Sequence, residues 1–344
     1  MELGDEEDPR PGRVTIRQVA ELAGVSIATV SRVVNGRSDV SVQTRDTVRR
    51  VIREHGYLAG ARSRPEPAGL IRIMVPEVYS NYFAEIVSGA SEALYEHDMR
   101  VELCPTRHPR APGASLLDRL ADGASEGAIL VLPPDRPRDE FEELARQGFP
   151  FVIVDPGTEI AEGIPVVSAA HASGATQATA HLLALGHRRI GAIGGPEDRI
   201  ATHDRLRGYH AALAGVGVLP DPDLFRYSDF TVEGGRAEAE WLLSLPDPPT
   251  AIFAFNDAMA VGAMQAITAR GLRVPADVSV VGFDDTYQAA IVVPALTTVR
   301  QPLAELGRTA VSLLLRQLQN RRLEPLRVEL ATRLVVRESA APLG

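Results

Sequence analysis

Residues 14–36 hold a set of side chains suited to reading a nucleic acid: Arg32, Ile27 and Ala28, with Thr15, Ser26, Thr29, Ser31 and Asn35 around them. An arginine can donate two hydrogen bonds to a guanine, and small apolar side chains can meet a thymine methyl. Short hydroxyl and amide donors suit phosphate oxygens, which fix register without reading sequence. A second set lies directly after apolar runs: Asp155 follows Phe-Val-Ile-Val, Asn256-Asp257 follows Ala-Ile-Phe-Ala-Phe, and Asp284-Asp285 follows Val-Val-Gly-Phe. A packed core has no use for such groups, whereas carboxylates, amides and guanidinium groups together satisfy the hydroxyls of a small polar ligand. Of these, Asp257 reads as a helix N-cap, and Asp285 as another cap.

Other chemistries find no residues. All 36 basic side chains are arginine, which removes a Schiff-base lysine and a Walker-type phosphate loop. The single cysteine, Cys104, reads as a small buried residue. There is no His-Glu-x-x-His spacing, and neither a catalytic residue nor a metal site nor a cofactor is expected. His97, His187 and His210 read as helix-end or surface residues, and Gly191-x-x-Gly194-Gly195 as a tight turn before Pro196 rather than a dinucleotide fingerprint.

The first set needs a small scaffold. Thr15 and Gln18 form a capping box, and Ile16, Val19, Ala20 and Ala23 fall on one helical face. Gly24 ends that helix and Ser26 caps the next, whose inner face is Val30, Val33 and Val34. Ser41 caps a third helix with Val48, Val51, Ile52 and His55 as its buried stripe. Two helices joined by a tight turn can place the second in the major groove. Charge agrees: residues 13–64 carry ten arginines against four acids, although the whole chain is −9 and residues 1–12 carry five acids against one arginine. A basic head on an acidic body is expected where one module touches phosphates.

The second set needs strand ends. From residue 70 onward, nine strand-like runs, the first at Ile71–Pro76 and the last at Leu296–Val299, alternate with eight helix-like segments. This alternation predicts an α/β protein with doubly wound parallel sheets, in which ligands bind at the carboxyl ends of strands. No apolar run approaches the roughly 20 residues that span a bilayer, and the acidic start is unlike a signal peptide, so a cytoplasmic protein is expected.

With Val-Ala-Glu-Leu-Ala-Gly-Val-Ser, Thr-Val-Ser-Arg-Val-Val-Asn, Phe255-Asn-Asp-Ala-Met-Ala-Val-Gly262, Val280-Val-Gly-Phe-Asp-Asp285 and Leu296-Thr-Thr-Val-Arg-Gln301, the chain resembles the lac repressor (LacI/GalR) family along almost its whole length. The resemblance implies a helix-turn-helix head and a bilobed periplasmic-binding-protein-like core. The expected division is an acidic disordered tail (1–12), head (13–58), linker (59–69), first lobe (70–169 and 301–330) and second lobe (170–300 and 331–344). It implies that Arg205, Asn256 and Asp284 face the ligand, with Asp155, Tyr79, Asn81 and Tyr82 across the cleft and Phe230 as an aromatic wall; Phe255 and Tyr287 count as further aromatics around the cleft. It departs from the family in the linker, where Ala59-Gly60 replaces Pro-Asn and Glu66 stands in place of the leucine wedge. Arg62 and Arg64 are expected to enter or line the minor groove instead, or to belong to a flexible linker, while Leu70 reads as the start of a strand. The function implied is a ligand-responsive repressor of carbohydrate-utilisation genes, a homodimer on a palindromic operator, released by a mono- or oligosaccharide. A purine or nucleoside effector, a co-repressor ligand, a solute-binding protein and a sugar-active enzyme are the alternatives. The absence of a heptad tail before Gly344 argues for a dimer rather than a tetramer.

Overall fold

The computed structural model describes residues 16–34, 41–54, 69–78, 80–106, 120, 124–132, 138–319 and 326–344. Chain contacts divide it into two units, residues 1–67 and 68–344.

The first unit contains α1 (Ile16–Ala23), α2 (Ile27–Val34) and α3 (Val42–Glu54). Val19, Ala20, Val30, Val33, Val48 and Val51 form its core, with Ala23 and Val25 packed against them. Gly24 sits at φ +64°, and the amides of Gly24 and Val25 return to the carbonyls of Glu21 and Ala20 at 3.2 and 3.0 Å. This left-handed cap satisfies carbonyls that a helix end otherwise leaves open, and glycine adopts it without a Cβ penalty. Ser26 caps α2 by accepting the Thr29 amide (3.1 Å), and Ser41 caps α3 by accepting that of Thr44 (3.2 Å). Thr15 and His55 lie outside the described residues, as do the side chains of Val34 and Ile52.

The second unit is built on two six-stranded sheets. The first contains β1 (Leu70–Val75), β2 (Arg100–Pro105), β3 (Gly127–Val131), β4 (Phe151–Val154), β5 (Val166–Ala169) and β11 (Arg327–Leu330), all parallel, in the order β11-β5-β4-β3-β1-β2. The second contains β6 (Ile190–Gly194), β7 (Phe225–Tyr227), β8 (Ala251–Ala254), β9 (Ser279–Asp284), β10 (Thr297–Arg300) and β12 (Arg333–Val335), in the order β12-β10-β9-β8-β6-β7. Only the β10–β12 pairing there is antiparallel. The chain passes between sheets after β5, β10 and β11.

The central strands are apolar almost throughout because helices cover both faces of each sheet. Phe-Val-Ile-Val of β4 and Ala-Ile-Phe-Ala of β8 are wholly buried. In each sheet the order reverses beside the first strand, between β1 and β3 in one and β6 and β8 in the other, which opens a crevice at the carboxyl ends. Three strands, β7, β11 and β12, and the short helix Tyr287–Ile291 were not expected from sequence. Each is three to five residues long and lies at an edge or in a loop. Their runs are too short and too polar to carry a periodicity. Leu70 opens β1 opposite Arg100, as the sequence implied.

Candidate functional site

The carboxyl ends of the two sheets enclose a cleft of about 550 Å³. Pro76 after β1, Leu132 after β3, Pro196 after β6 and Asn256 after β8 line it at the two strand-order reversals. Asn81, Tyr82, Asp155, Arg205, Phe230, Asn256 and Asp284 all reach this one space. Tyr79 lies outside the described residues. Among the described residues, six non-glycines have positive φ, and four of them line the cleft: Leu132 (38°), Asp155 (50°), Phe230 (66°) and Asp284 (120°). Backbone of this kind persists only where the surroundings hold it, and it clusters at functional sites.

A buried chain of polar groups runs along one wall. Tyr82 donates its hydroxyl to Asp155 Oδ2, and Asp155 Oδ1 lies 2.7 Å from His171 Nε2. His171 Nδ1 is 3.2 Å from an Arg205 terminal nitrogen. Guanidinium groups only donate, so Nδ1 accepts and Nε2–H donates to Asp155. Arg205 also donates to the Phe255 carbonyl, lies over the Phe283 ring at 4.0 Å, and stands 3.7 Å from Asp284 Oδ1. Gln301 donates to that same oxygen at 2.6 Å. Arg205 and Asp284 are almost fully buried, so their charges meet where water screens little.

This setting moves the carboxyls apart. Burial would raise Asp155, but His171, Tyr82 and Arg205 outweigh it and hold the group at about 2. Burial also raises Asp284, with nearby Asp257 pushing the same way against Arg205 and Gln301. Burial lifts Asp257 to about 7, although Thr298 and Thr286 donate to it. Tyr82 is raised by burial and by its carboxylate partner, so it stays a donor.

Several sequence expectations are corrected. Asn256, not Asp257, caps the helix Asp257–Ala269: its Oδ1 accepts the Met259 amide at 2.8 Å. Its Nδ2 donates to the Phe230 carbonyl at 3.0 Å, so Asn256 holds the aromatic wall in place as well as lining the cleft. Asp257 is inside, accepting from Thr286 N (2.7 Å) and Thr298 Oγ1 (2.5 Å). Asp285 is no cap; it pairs with Arg300 and Arg337 at the passage between sheets. Phe255 is fully buried in the core, and Tyr287 stands 68% exposed and is not among the lining residues. His187 is buried, with Thr250 Oγ1 at 2.9 Å and the Ala341 carbonyl at 3.1 Å. Gly195 leaves room for Phe230: a β-carbon there would lie 2.0 Å from the ring. Two buried residues behind the cleft lining, His171 and Gln301, escaped sequence reasoning. Nothing around His171 but a preceding Ala-Ala marks it, and its partners are 16 and 34 residues away.

On the head, Ser26, Ile27, Ala28 and Arg32 are exposed along the start and outer face of α2, and Thr29 is half-buried. Asn35, Arg62, Arg64 and Glu66, and the side chain of Ser31, lie outside the described residues. Among the described residues there is no His, Cys, Asp or Glu cluster able to hold a metal, and no helix long and apolar enough to cross a membrane.

Comparison with known proteins agrees with this layout. Residues 15–59 match the model for bacterial regulatory proteins of the lacI family, and residues 179–340 match that for a periplasmic binding protein-like domain. The chain is 37% identical to the HTH-type transcriptional regulator CelR of Thermobifida fusca, covering 96% of this chain and 99% of that protein. It is 36% identical to the HTH-type transcriptional repressor CytR of Escherichia coli K12, covering 89% and 90%. Among solved structures, a CelR–cellobiose complex matches with a TM-score of 0.72 at 36% identity, over 95% of this chain and all of that one. A lac repressor dimer bound to operator and an anti-inducer matches with a TM-score of 0.73 at 30% identity, over 96% and all. A three-helix head and a two-sheet core with a polar cleft define the class, a ligand-responsive transcriptional regulator. The chain belongs to the lacI family of bacterial regulatory proteins and is not an enzyme.

Proposed function

We propose that this regulator is a repressor of carbohydrate-utilisation genes, and that a neutral sugar bound in the cleft releases it from its operator. The cleft carries the reading: Asp155, Arg205 and Asp284 offer acceptors and donors along one wall, and the Phe230 ring offers an apolar face. A pyranose presents the matching pattern, a rim of hydroxyls around an apolar face. The cellobiose complex of CelR, similar over nearly the whole chain, supports a sugar as ligand, and a disaccharide fits a space of about 550 Å³. Tyr82 joins that wall through Asp155, and Asn81 lines the cleft beside it, with Tyr79 close by in sequence.

The head reads DNA through Ile27, Ala28 and Arg32, with Thr15, Ser26, Thr29, Ser31 and Asn35 on phosphates and Arg62 and Arg64 at the minor groove. One head covers too few base pairs for useful specificity, so two chains act together on a palindromic site. A protein that works on operator DNA acts in the cytoplasm, and that location is part of the proposal. Sugar acts by its differential affinity for two lobe arrangements, and coupling of about 1–3 kcal/mol is typical of such linkage. Fluorescence anisotropy on DNA from upstream of the protein's own gene tests this. Cellobiose or another screened sugar should weaken binding by about 5–150-fold. Unchanged or tighter binding with every sugar would overturn the inducer role.

A further inference from the structure

We propose that His171 is a positioning residue: it ties Asp155 of the first lobe to Arg205 of the second and so holds the two lobes at their present separation. The inference deepens the reading of the cleft as the effector site, because both residues it joins are in that wall.

His171 opens the helix His171–Ala184, immediately after the chain has left β5 for the second lobe. Its ring is 3% exposed. One nitrogen faces a carboxylate at the end of β4 in the first lobe, and the other faces a guanidinium from the second-lobe helix Ile200–Gly215. Donor and acceptor roles are fixed at both ends, since carboxylate accepts and guanidinium donates. An imidazole with one N–H and one lone pair on opposite sides of its ring satisfies both at once. Leucine would fill the space and satisfy neither.

A second bond joins the same two segments. The Ile200 amide donates to the Gly157 carbonyl at 3.0 Å, and the Arg199 guanidinium lies against Gly157. Ile200 is the first residue of its helix, and its N-cap Arg199 gives no side-chain cap. First-turn amides have no partner within their own helix. The one at Ile200 finds its partner across the cleft, two residues beyond Asp155. Residues 155–157 and 199–205 are thus cross-linked twice, once through His171 and once through Ile200. The Ile200 amide is protected from exchange only while the lobes stay together, which makes it a local reporter of the bridge.

The test is residue-resolved hydrogen exchange on the full-length protein without added sugar, so its failure is distinct from a failure to find a sugar. His171→Leu should speed exchange at Ile200 by about tenfold or more, while Ile252 in the buried strand β8 keeps its protection. His171→Gln, whose amide carries one donor and one acceptor, should stay within about threefold of wild type. His171→Asn, too short to reach both partners, should behave as the leucine variant and carries the test if that variant does not fold. Unchanged protection at Ile200 in the leucine or asparagine variant would overturn the proposal, as would a glutamine variant that opens as readily as leucine.

Discussion

Asp155 and Asp257 lie in one wall of one cleft and respond to burial in opposite ways. Asp155 has donors on both oxygens, from Tyr82 and His171, and is held at about 2. Asp257, fully buried with Asp284 and Asp285 near it, is lifted to about 7. The unfolded value is about 3.9 for both. For Asp257 the folded state binds the proton more tightly, so its contribution is full below about pH 4 and lost as pH rises through about 7. For Asp155 the contribution is present above about pH 4 and lost as pH falls through about 2. Between pH 5 and 8, therefore, Asp257 gives the melting temperature of the core a downward slope with pH, opposed by His181, His187 and His210, whose pKa values burial lowers. Asp257→Asn should flatten that slope, and calorimetric melts across the range check it; an unchanged slope would remove Asp257 as its source. The sequence showed these carboxylates as strand-end polar residues, but not their division of roles. Asn256 and Asp257 are neighbours, and only the register of the helix start decides which one caps and which turns inward.

At the scale of elements, local signals were legible and distant ones were not. Ser26, Ser41 and Gly24 act on amides and carbonyls within five residues, so their types announce their roles. The central strands showed as apolar runs because burial on both faces demands it. The strands β7, β11 and β12 are held by their sheet neighbours rather than by their own residues, and His171 by partners far along the chain. Two glycines give tests at this scale. Gly24→Ala keeps open space around the new carbon but forces alanine to φ +64°, at a cost of about 1 kcal/mol. The head should then show about fivefold faster exchange at the Val30 amide, with the core unaffected. Gly195→Val meets the Phe230 ring directly. It should weaken binding of the sugar that releases the operator by about tenfold in calorimetric titration, while a loss of operator affinity in the absence of sugar would show a wider disturbance.

For the whole molecule, function rests on a division of labour within one chain. A head with ten arginines against four acids between residues 13 and 64 meets phosphate and base edges, and an acidic core with a polar cleft decides when it does so. The family relationship was readable along the chain because both halves carry their own motifs. The identity of the wall's central link was not. The most direct measurement is a paired titration of two variants, each against operator and against the sugar that releases it. Arg32→Ala should weaken operator binding by at least about tenfold, the scale of one lost base contact, and leave sugar affinity unchanged. Arg205→Ala should keep operator binding and lose both sugar affinity and sugar-driven release. If Arg32→Ala leaves the operator bound as tightly as wild type, or Arg205→Ala is still released by sugar, the division does not hold.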